Sequence, residues 1–299
     1  MLECFFFIWK KKTNFLKNKK QKMAFDIGVN LTSQQYQNYI GVVFHHMRRA
    51  DFQGVIIISN RQKDWQHNID IINKYSFPRI GMTAGVHPHN AKEVENSQLF
   101  MDTLENFVRG HINQVKAIGE CGLDYNRMFS TKEQQIKVFQ MQIDLAAKLD
   151  LPLYLHERDA HEDFYAILEQ AKTKYPQLRG VVHCFTGSKE VMQRYLNLGL
   201  YIGITGWICD DRRNGALMDA VQQLFAKYSW KMMLETDSPW LSPPTYFSDF
   251  KGHNDGRKEK RNEPDSIYYV ADKIADLICI PPHEIIERTT ETAKRFFKM

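Results

Sequence analysis

From Phe25 onward, short apolar runs rich in valine, isoleucine and glycine alternate with amphipathic stretches of 12 to 20 residues. A strand buried on both faces reads as a continuous apolar run, whereas a helix packed over it shows only an apolar stripe, so the alternation predicts β/α units around a parallel sheet. The candidate strands are FDIGVNL from Phe25, GVIIIS from Gly54, RIGMTAGVHP from Arg79, VKAIGECGLD from Val115, LPLYLHERD from Leu151, GVVHCFTG from Gly180, GLYIGITGW from Gly199 and KMMLETDSP from Lys231. Eight strands within about 215 residues predict an α/β fold of the TIM (β/α)8 barrel type over an open doubly wound sheet.

Helix starts are expected from capping as well as from period. Ser130 stands three residues before Glu133 as a capping box, after which Ile136, Phe139, Ile143 and Ala147 share one face. Asn90 before Glu93, Asp159 before Glu162, and Ser188 at the head of SKEVMQRYLNL read as the same device. Two helical stretches near 265–278 and 283–297 close the chain, and without an interdomain linker residues 23–299 read as one domain. The polar, turn-rich stretch from Ser242 to Asp265 follows the eighth strand, which in a barrel puts it on the catalytic face. Its part from Lys251 to Arg261 holds five basic and two acidic residues, and reads either as a solvated loop or as a substrate clamp.

Composition narrows the class. With 43% hydrophobic and 12% aromatic residues, no low-complexity tract and no repeat of 20 to 50 residues, the chain is neither disordered nor a solenoid. The net charge of +5 misleads, because the first 22 residues carry seven lysines and one glutamate, leaving 33 basic against 34 acidic side chains in the remainder. The folded body must therefore grip any polyanion locally. The five cysteines, Cys4, Cys121, Cys184, Cys209 and Cys279, are widely spaced without a CxxC pair, which argues for a reducing compartment and against disulfides or a zinc knuckle. The opening apolar run, Cys4 to Trp9, is too short for a secretory signal and its lysines follow it; no 18-residue apolar span occurs. A cytoplasmic monomer with no membrane contact and no obligate protein partner is expected. Residues 1–22 read foremost as a start assigned too early, with a basic arm and an atypical targeting segment as the other readings.

Residue types that do chemistry collect at the carboxyl ends of the expected strands: His87 and His89 at the third, Glu120 and Asp124 at the fourth, His156, Arg158 and Asp159 at the fifth, His183 at the sixth, Glu235 and Asp237 at the eighth. In a parallel barrel these ends converge on one rim. Two imidazoles with two carboxylates form a mixed nitrogen and oxygen set suited to Zn, Mn, Fe or Mg. His45, His46, His67 and His111 fall in or beside helices and read as surface residues. No GxSxG elbow, no GxxxxGK[ST] loop and no GxGxxG after a strand occurs, and Cys121 and Cys184 read as core packing.

At these residues the sequence resembles the TatD family of metal-dependent deoxyribonucleases. The segments FDIGVNLT, TAGVHPH, AIGECGLDYNR, LHERDAH, HCFTG, YIGITGW, ETDSPWL and RNEPD run in order over about nine-tenths of the chain. The resemblance implies an amidohydrolase-type barrel that hydrolyses phosphodiesters with a divalent metal cation, magnesium first and manganese or zinc after it. It puts the metal ligands on Glu120, His156, His183 and Asp237, His87 near the scissile phosphate, and Arg158, Arg261 and Asn262 on substrate oxygens. It further implies a 3′ to 5′ exonuclease acting on the ends of single-stranded DNA or RNA, in nucleic-acid repair or turnover. Many relatives open with an HxH pair that supplies a second metal position; here Gly28 and Asn30 stand in that frame, so one firm ion is expected, with a second arriving with substrate.

Asp237 is the expected general base, with Glu120 holding metal and His87 and Arg158 facing the charge that develops on phosphate. Phe185, Trp207 and Trp240 lie at or beyond strand ends and are candidates for stacking a terminal base. Two readings of other classes stay open: an ester or amide hydrolase such as an aminoacyl-tRNA deacylase, and a metal-binding scaffold without turnover.

Overall fold

A computed structural model describes residues 23–249 and 261–299. Eight parallel strands follow one another around a barrel in chain order: β1 (Phe25–Val29), β2 (Gly54–Ile57), β3 (Ile80–Ala84), β4 (Val115–Asp124), β5 (Leu153–Arg158), β6 (Gly180–Val182), β7 (Tyr201–Ile204) and β8 (Met232–Leu234). Each strand pairs with the next, and β1 meets the chain beyond β8 through a single bridge between Val29 and Ser238, so the barrel is nearly closed. The strands end earlier than their motifs do. In β6 and β8 only the apolar GVV and MML segments form ladder, and the polar residues that follow them lie in the rim loops.

The longer helices among the described residues are α1 (Ile40–Arg49), α2 (Gln62–Lys74), α3 (Ser97–Gly110), α4 (Lys132–Leu149), α5 (His161–Lys174), α6 (Lys189–Asn197), α7 (Gly215–Tyr228), α8 (Ile267–Ile278) and α9 (Pro282–Phe297). Ser188 caps α6 as expected, accepting from the Val191 amide. The other starts differ. The capping box of α4 belongs to Thr131 and Gln134, because the Ser130 hydroxyl is already engaged, accepting from the Lys92 amide and donating to the His89 carbonyl. Asn90 lies inside a 3-10 turn, Pro88–Glu93, and α3 is capped by Asn96 instead. Asp159 has a left-handed backbone at φ 54° and accepts from the Asn126 side chain, leaving Ala160 at the head of α5. His46 is buried, not on the surface, with Nδ1 2.6 Å from Glu263 Oε2.

Two apolar layers result. The larger lies between the strands and the surrounding helices. The smaller is formed by the strand residues Phe25, Ile27, Ile56, Ala117, Tyr154, Val181 and Met233 with Ile58 just beyond β2, and is joined by Phe296 and Phe297. Phe297 stacks on Phe25 at 6.4 Å and Phe296 lies 4.7 Å from Tyr201, so α9 seals the amino end of the barrel with aromatic surface. Chemistry is left to the carboxyl end. No helix among the described residues is long and apolar enough to cross a membrane.

Candidate metal and phosphodiester site

Glu120 is the centre of the site, and its position follows from the two glycines of GECG. Gly119 and Gly122 have φ of 147° and 144°, a region costly for side-chain-bearing residues, and a Cβ at either would lie 2.3 Å from the Tyr154 carbonyl or 1.9 Å from the His156 carbonyl. Between them the β4–β5 register skips a residue, Gly119 facing Tyr154 and Cys121 facing Leu155, so Glu120 is the bulged residue. A bulge re-aims a side chain, and here it turns the carboxylate into the barrel mouth.

Around Glu120 Oε1 three imidazoles converge: His183 Nε2 at 2.7 Å, His156 Nδ1 at 2.9 Å and His87 Nε2 at 3.3 Å. His156 Nδ1 and His183 Nε2 are themselves 3.3 Å apart. His87, Glu120 and His156 each offer a ligand atom within 4.8 Å of one another. The outer nitrogens distinguish the rings. His156 Nε2 faces Asp124 Oδ2 at 3.2 Å, the carboxylate backing that metal-binding imidazoles commonly have, while His183 Nδ1 lies 3.6 Å from Glu235 Oε2, beyond hydrogen-bond distance. His87 Nδ1 instead accepts the His89 amide at 3.0 Å, so the neutral ring carries its proton on Nε2, aimed into the site. This makes His87 a donor, and leaves Glu120, His156 and His183 as the set whose candidate ligand atoms converge on one point.

The electrostatics agree with that division. Burial lowers the His87 pKa to about 4 against the pull of Glu120, which keeps the ring neutral. Burial also opposes the charged forms of Glu120 and His183, yet the neighbouring imidazoles hold Glu120 well below the usual carboxylate range, and Glu120 and Glu235 hold His183 well above the ordinary histidine value. Concentrated negative charge stabilises cations, and a donor set of one carboxylate and two imidazoles fits a divalent ion.

Asp237 stands across the mouth. Its backbone is left-handed at φ 50°, and Oδ1 accepts from Asn30 Nδ2 at 2.8 Å. Burial pushes its pKa up to about 7, with His183 pulling it down and Glu120 and Glu235 adding to the rise. Asn30 in turn accepts from Asn60 Nδ2 at 3.2 Å, and the Asn60 carbonyl accepts the His87 amide at 3.0 Å. Sequence reasoning missed the roles of Asn30 and Asn60; the available signal was that the expected second strand, GVIIIS, ends in Ser59 and runs straight into Asn60, polar residues at the carboxyl end of the barrel. It also missed Tyr154, whose hydroxyl donates to Glu235 Oε2 at 2.6 Å. A Cβ on Gly28 would lie 2.4 Å from that hydroxyl and 2.7 Å from Glu235 Oε2, so the space a histidine would need in the HxH frame is filled.

The remaining expected residues separate by exposure. Arg158 ends β5 with its side chain exposed. Arg261 is 4% exposed, its guanidinium 3.5 Å from the Tyr39 ring centroid, with Nη1 donating to the Gln35 carbonyl. Asn262 is fully buried and clamps the loop after β8, donating to the Thr236 and Trp240 carbonyls. Phe185 packs in the core, Trp207 is covered by Arg213 at 3.6 Å, and Trp240 is 49% exposed. The charged stretch 251–260 lies outside the described residues.

Comparison with known proteins agrees with the motifs. Residues 25–298 match the profile of the family described as TatD related DNase. The "3′-5′ ssDNA/RNA exonuclease TatD" of Erwinia tasmaniensis is 38% identical over 276 residues, 92% of this chain and 100% of that protein. The protein of the same name from Salmonella typhimurium is 35% identical over 92% of this chain and 99% of its own length. Among solved structures, a TatD family hydrolase from Entamoeba histolytica superposes with a TM-score of 0.81 at 28% identity, covering 92% of this chain and 98% of that one.

Proposed function

The chain belongs to the family of TatD-related DNases, and on that premise we propose that it is a metal-dependent nuclease that hydrolyses phosphodiester bonds at the 3′ ends of single-stranded DNA or RNA. The observation that carries this reading is the convergence of His156 and His183 on the bulged Glu120, with a neutral His87 donating into the same point. Glu120, His156 and His183, with Asp237 completing the set, would hold a divalent cation, which would supply Lewis acidity toward a phosphoryl oxygen and toward the attacking water. Magnesium is the first candidate, manganese and zinc the next, and the filled space at Gly28 favours one firm ion.

Each side chain then has a task. Asp237 takes the water proton as the new oxygen–phosphorus bond forms and the phosphorus–oxygen ester bond breaks, its electron pair leaving with the ester oxygen, which takes up a proton from solvent. Asn30 holds Oδ1 of that carboxylate and leaves Oδ2 to face the water. His87 Nε2–H meets charge developing on a phosphate oxygen, and Arg158, exposed at the end of β5, is the candidate for holding another. Asn262 acts through the loop it pins, on either side of Asp237, and Arg261 ties that segment to the chain after β1 through Tyr39 and Gln35. A cytoplasmic monomer serving nucleic-acid repair or turnover is the accompanying expectation.

The test is nucleotide release from 3′-labelled and 5′-labelled single strands with Mg, Mn or Zn, alongside Asp237→Asn. Stepwise, metal-dependent shortening from the 3′ end, reduced about 100-fold or more in the variant, is expected. A folded protein that shortens neither strand with any metal would overturn the reading.

A further inference from the structure

The loop after β4 carries side chains that the proposed reaction does not use. Residues 126–129 are exposed, with Met128 at 47% and Phe129 at 56%, two large apolar groups set among polar neighbours on the loop. Exposed apolar surface beside a catalytic mouth is the kind that ligands cover. Phe129 is not isolated from the site. His156 lies 4.4 Å from His87, His87 lies 4.3 Å from His89, and His89 meets Phe129 edge-to-face at 5.0 Å, so a line of ring contacts leads from the mouth to the surface.

The loop is also referenced to the site through one carboxylate. Asp124 Oδ1 accepts the amides of Asn126 and Arg127 at 3.0 and 2.8 Å, while Oδ2 contacts His89 Nε2 at 2.7 Å and His156 Nε2 at 3.2 Å. The group that orients His156 thus also fixes the turn presenting Arg127 and Phe129. The Arg127 side chain is exposed, and none of the salt bridges among the described residues uses it. Lys132 stands on the same loop edge over the Tyr125 ring at 4.1 Å. An exposed aromatic ring flanked by cations is the combination that binds single-stranded nucleic acid, the ring stacking a base and the cation meeting its phosphate.

We propose that residues 125–129 form a nucleotide subsite, with Phe129 stacking the nucleobase next to the scissile phosphate and Arg127 holding that nucleotide's phosphate. The proposal rests on the nuclease reading and deepens it. A ring can stack only on a base whose face is free, so the subsite selects unpaired ends over duplex ends. Because the loop hangs on Asp124, seating the base there registers the strand against the His156 edge of the mouth.

The experiment uses the full chain as wild type, Phe129→Ala, Phe129→Tyr and Arg127→Ala. Binding of a dye-labelled single-stranded deoxyoligonucleotide is followed by fluorescence anisotropy with chelator present, and cleavage of the same strand is followed with metal. Phe129→Ala should weaken binding about 10-fold and raise KM more than it lowers kcat, and Phe129→Tyr should restore most of both. Arg127→Ala should weaken binding and flatten its salt dependence. An unchanged oligonucleotide affinity in Phe129→Ala overturns the subsite, as does an equal loss in Phe129→Tyr, since the ring is retained there. Failure of the wild type to cleave would count against the nuclease reading separately, because the anisotropy decides the subsite without turnover.

Discussion

The two sides of the barrel mouth are built in different ways. On one side β4 pairs with β5 from Ile118↔Leu153 to Asp124↔Arg158, and Glu120 and His156 project from that ladder. On the other side β8 has three residues, β1 reaches its neighbour through one bridge, and the contact is completed by side chains. Asp26 accepts the Thr236 amide at 3.0 Å and its hydroxyl at 2.6 Å, and Asn30 reaches Asp237. A backbone ladder places atoms rigidly because every residue is tied; a seam tied by a few side-chain bonds has fewer constraints per atom. The contrast teaches that two of the residues expected to hold a cation, Glu120 and His156, sit on the rigid side, while Asp237, the carboxylate expected to move a proton, sits where a small shift costs least.

Breaking the rigid side should give the largest effect. Glu120→Gln keeps the shape of the side chain and removes the charge on which His87, His156 and His183 converge. It should cut nucleotide release about 1000-fold and abolish the high-affinity metal isotherm in titration calorimetry. A rate within a factor of about 10 of wild type would show that the centre of the site lies elsewhere.

Attacks on the seam should cost less. Thr236→Val leaves the buried Asp26 without its hydroxyl donor and should lower unfolding free energy by about 2 kcal/mol in denaturant titration. Asn30→Ala releases only one oxygen of Asp237, and should lower kcat by less than about 10-fold with metal affinity nearly unchanged. An effect as large as that of Glu120→Gln would erase the distinction between the two sides.

The smallest expected effect tests the outer brace of β5. Arg194 donates to His161 Nε2 at 2.8 Å, so His161 Nδ1–H donates to the Tyr195 hydroxyl at 2.8 Å, and that hydroxyl donates to Glu157 Oε2 at 3.2 Å. Burial, with Arg194 beside it, holds the His161 pKa below the ordinary histidine value. As pH falls through about 6.5 the unfolded histidine takes up a proton that the folded one resists, so this group's contribution is full above that pH and declines below it. The Tm advantage of wild type over His161→Gln should therefore shrink between pH 7.5 and 5, by differential scanning calorimetry at low salt. A constant or growing gap would count against the ordered chain.

How much of this was legible in the sequence depends on the kind of constraint. The eight strands were visible because a strand buried on both faces leaves a run such as VIII or LYL, and the rim was visible because strand ends in a parallel barrel share one side. Glu120, His156 and His183 were therefore nominated together. The capping residues of α4 and α3 slipped, because Ser130 and Asn90 are equally good local caps and only their tertiary partners, Lys92 and His89 for Ser130 and the Asn60 carbonyl for Asn90, decide against them. His46 was misplaced for the same reason: its partner Glu263 is distant in the chain.

By itself the sequence determined the barrel, its order and the chemical types on its rim, since these follow from periodicity and from residues adjacent along the chain. Tertiary structure alone decided roles within that set. Whether a histidine donates or offers a lone pair depends on what meets its second nitrogen: the His89 amide for His87, Asp124 for His156, Glu235 for His183. The first of these partners is local, two residues along the same turn, but the other two come from other strands, and contacts between groups distant in sequence leave no periodic trace in the chain.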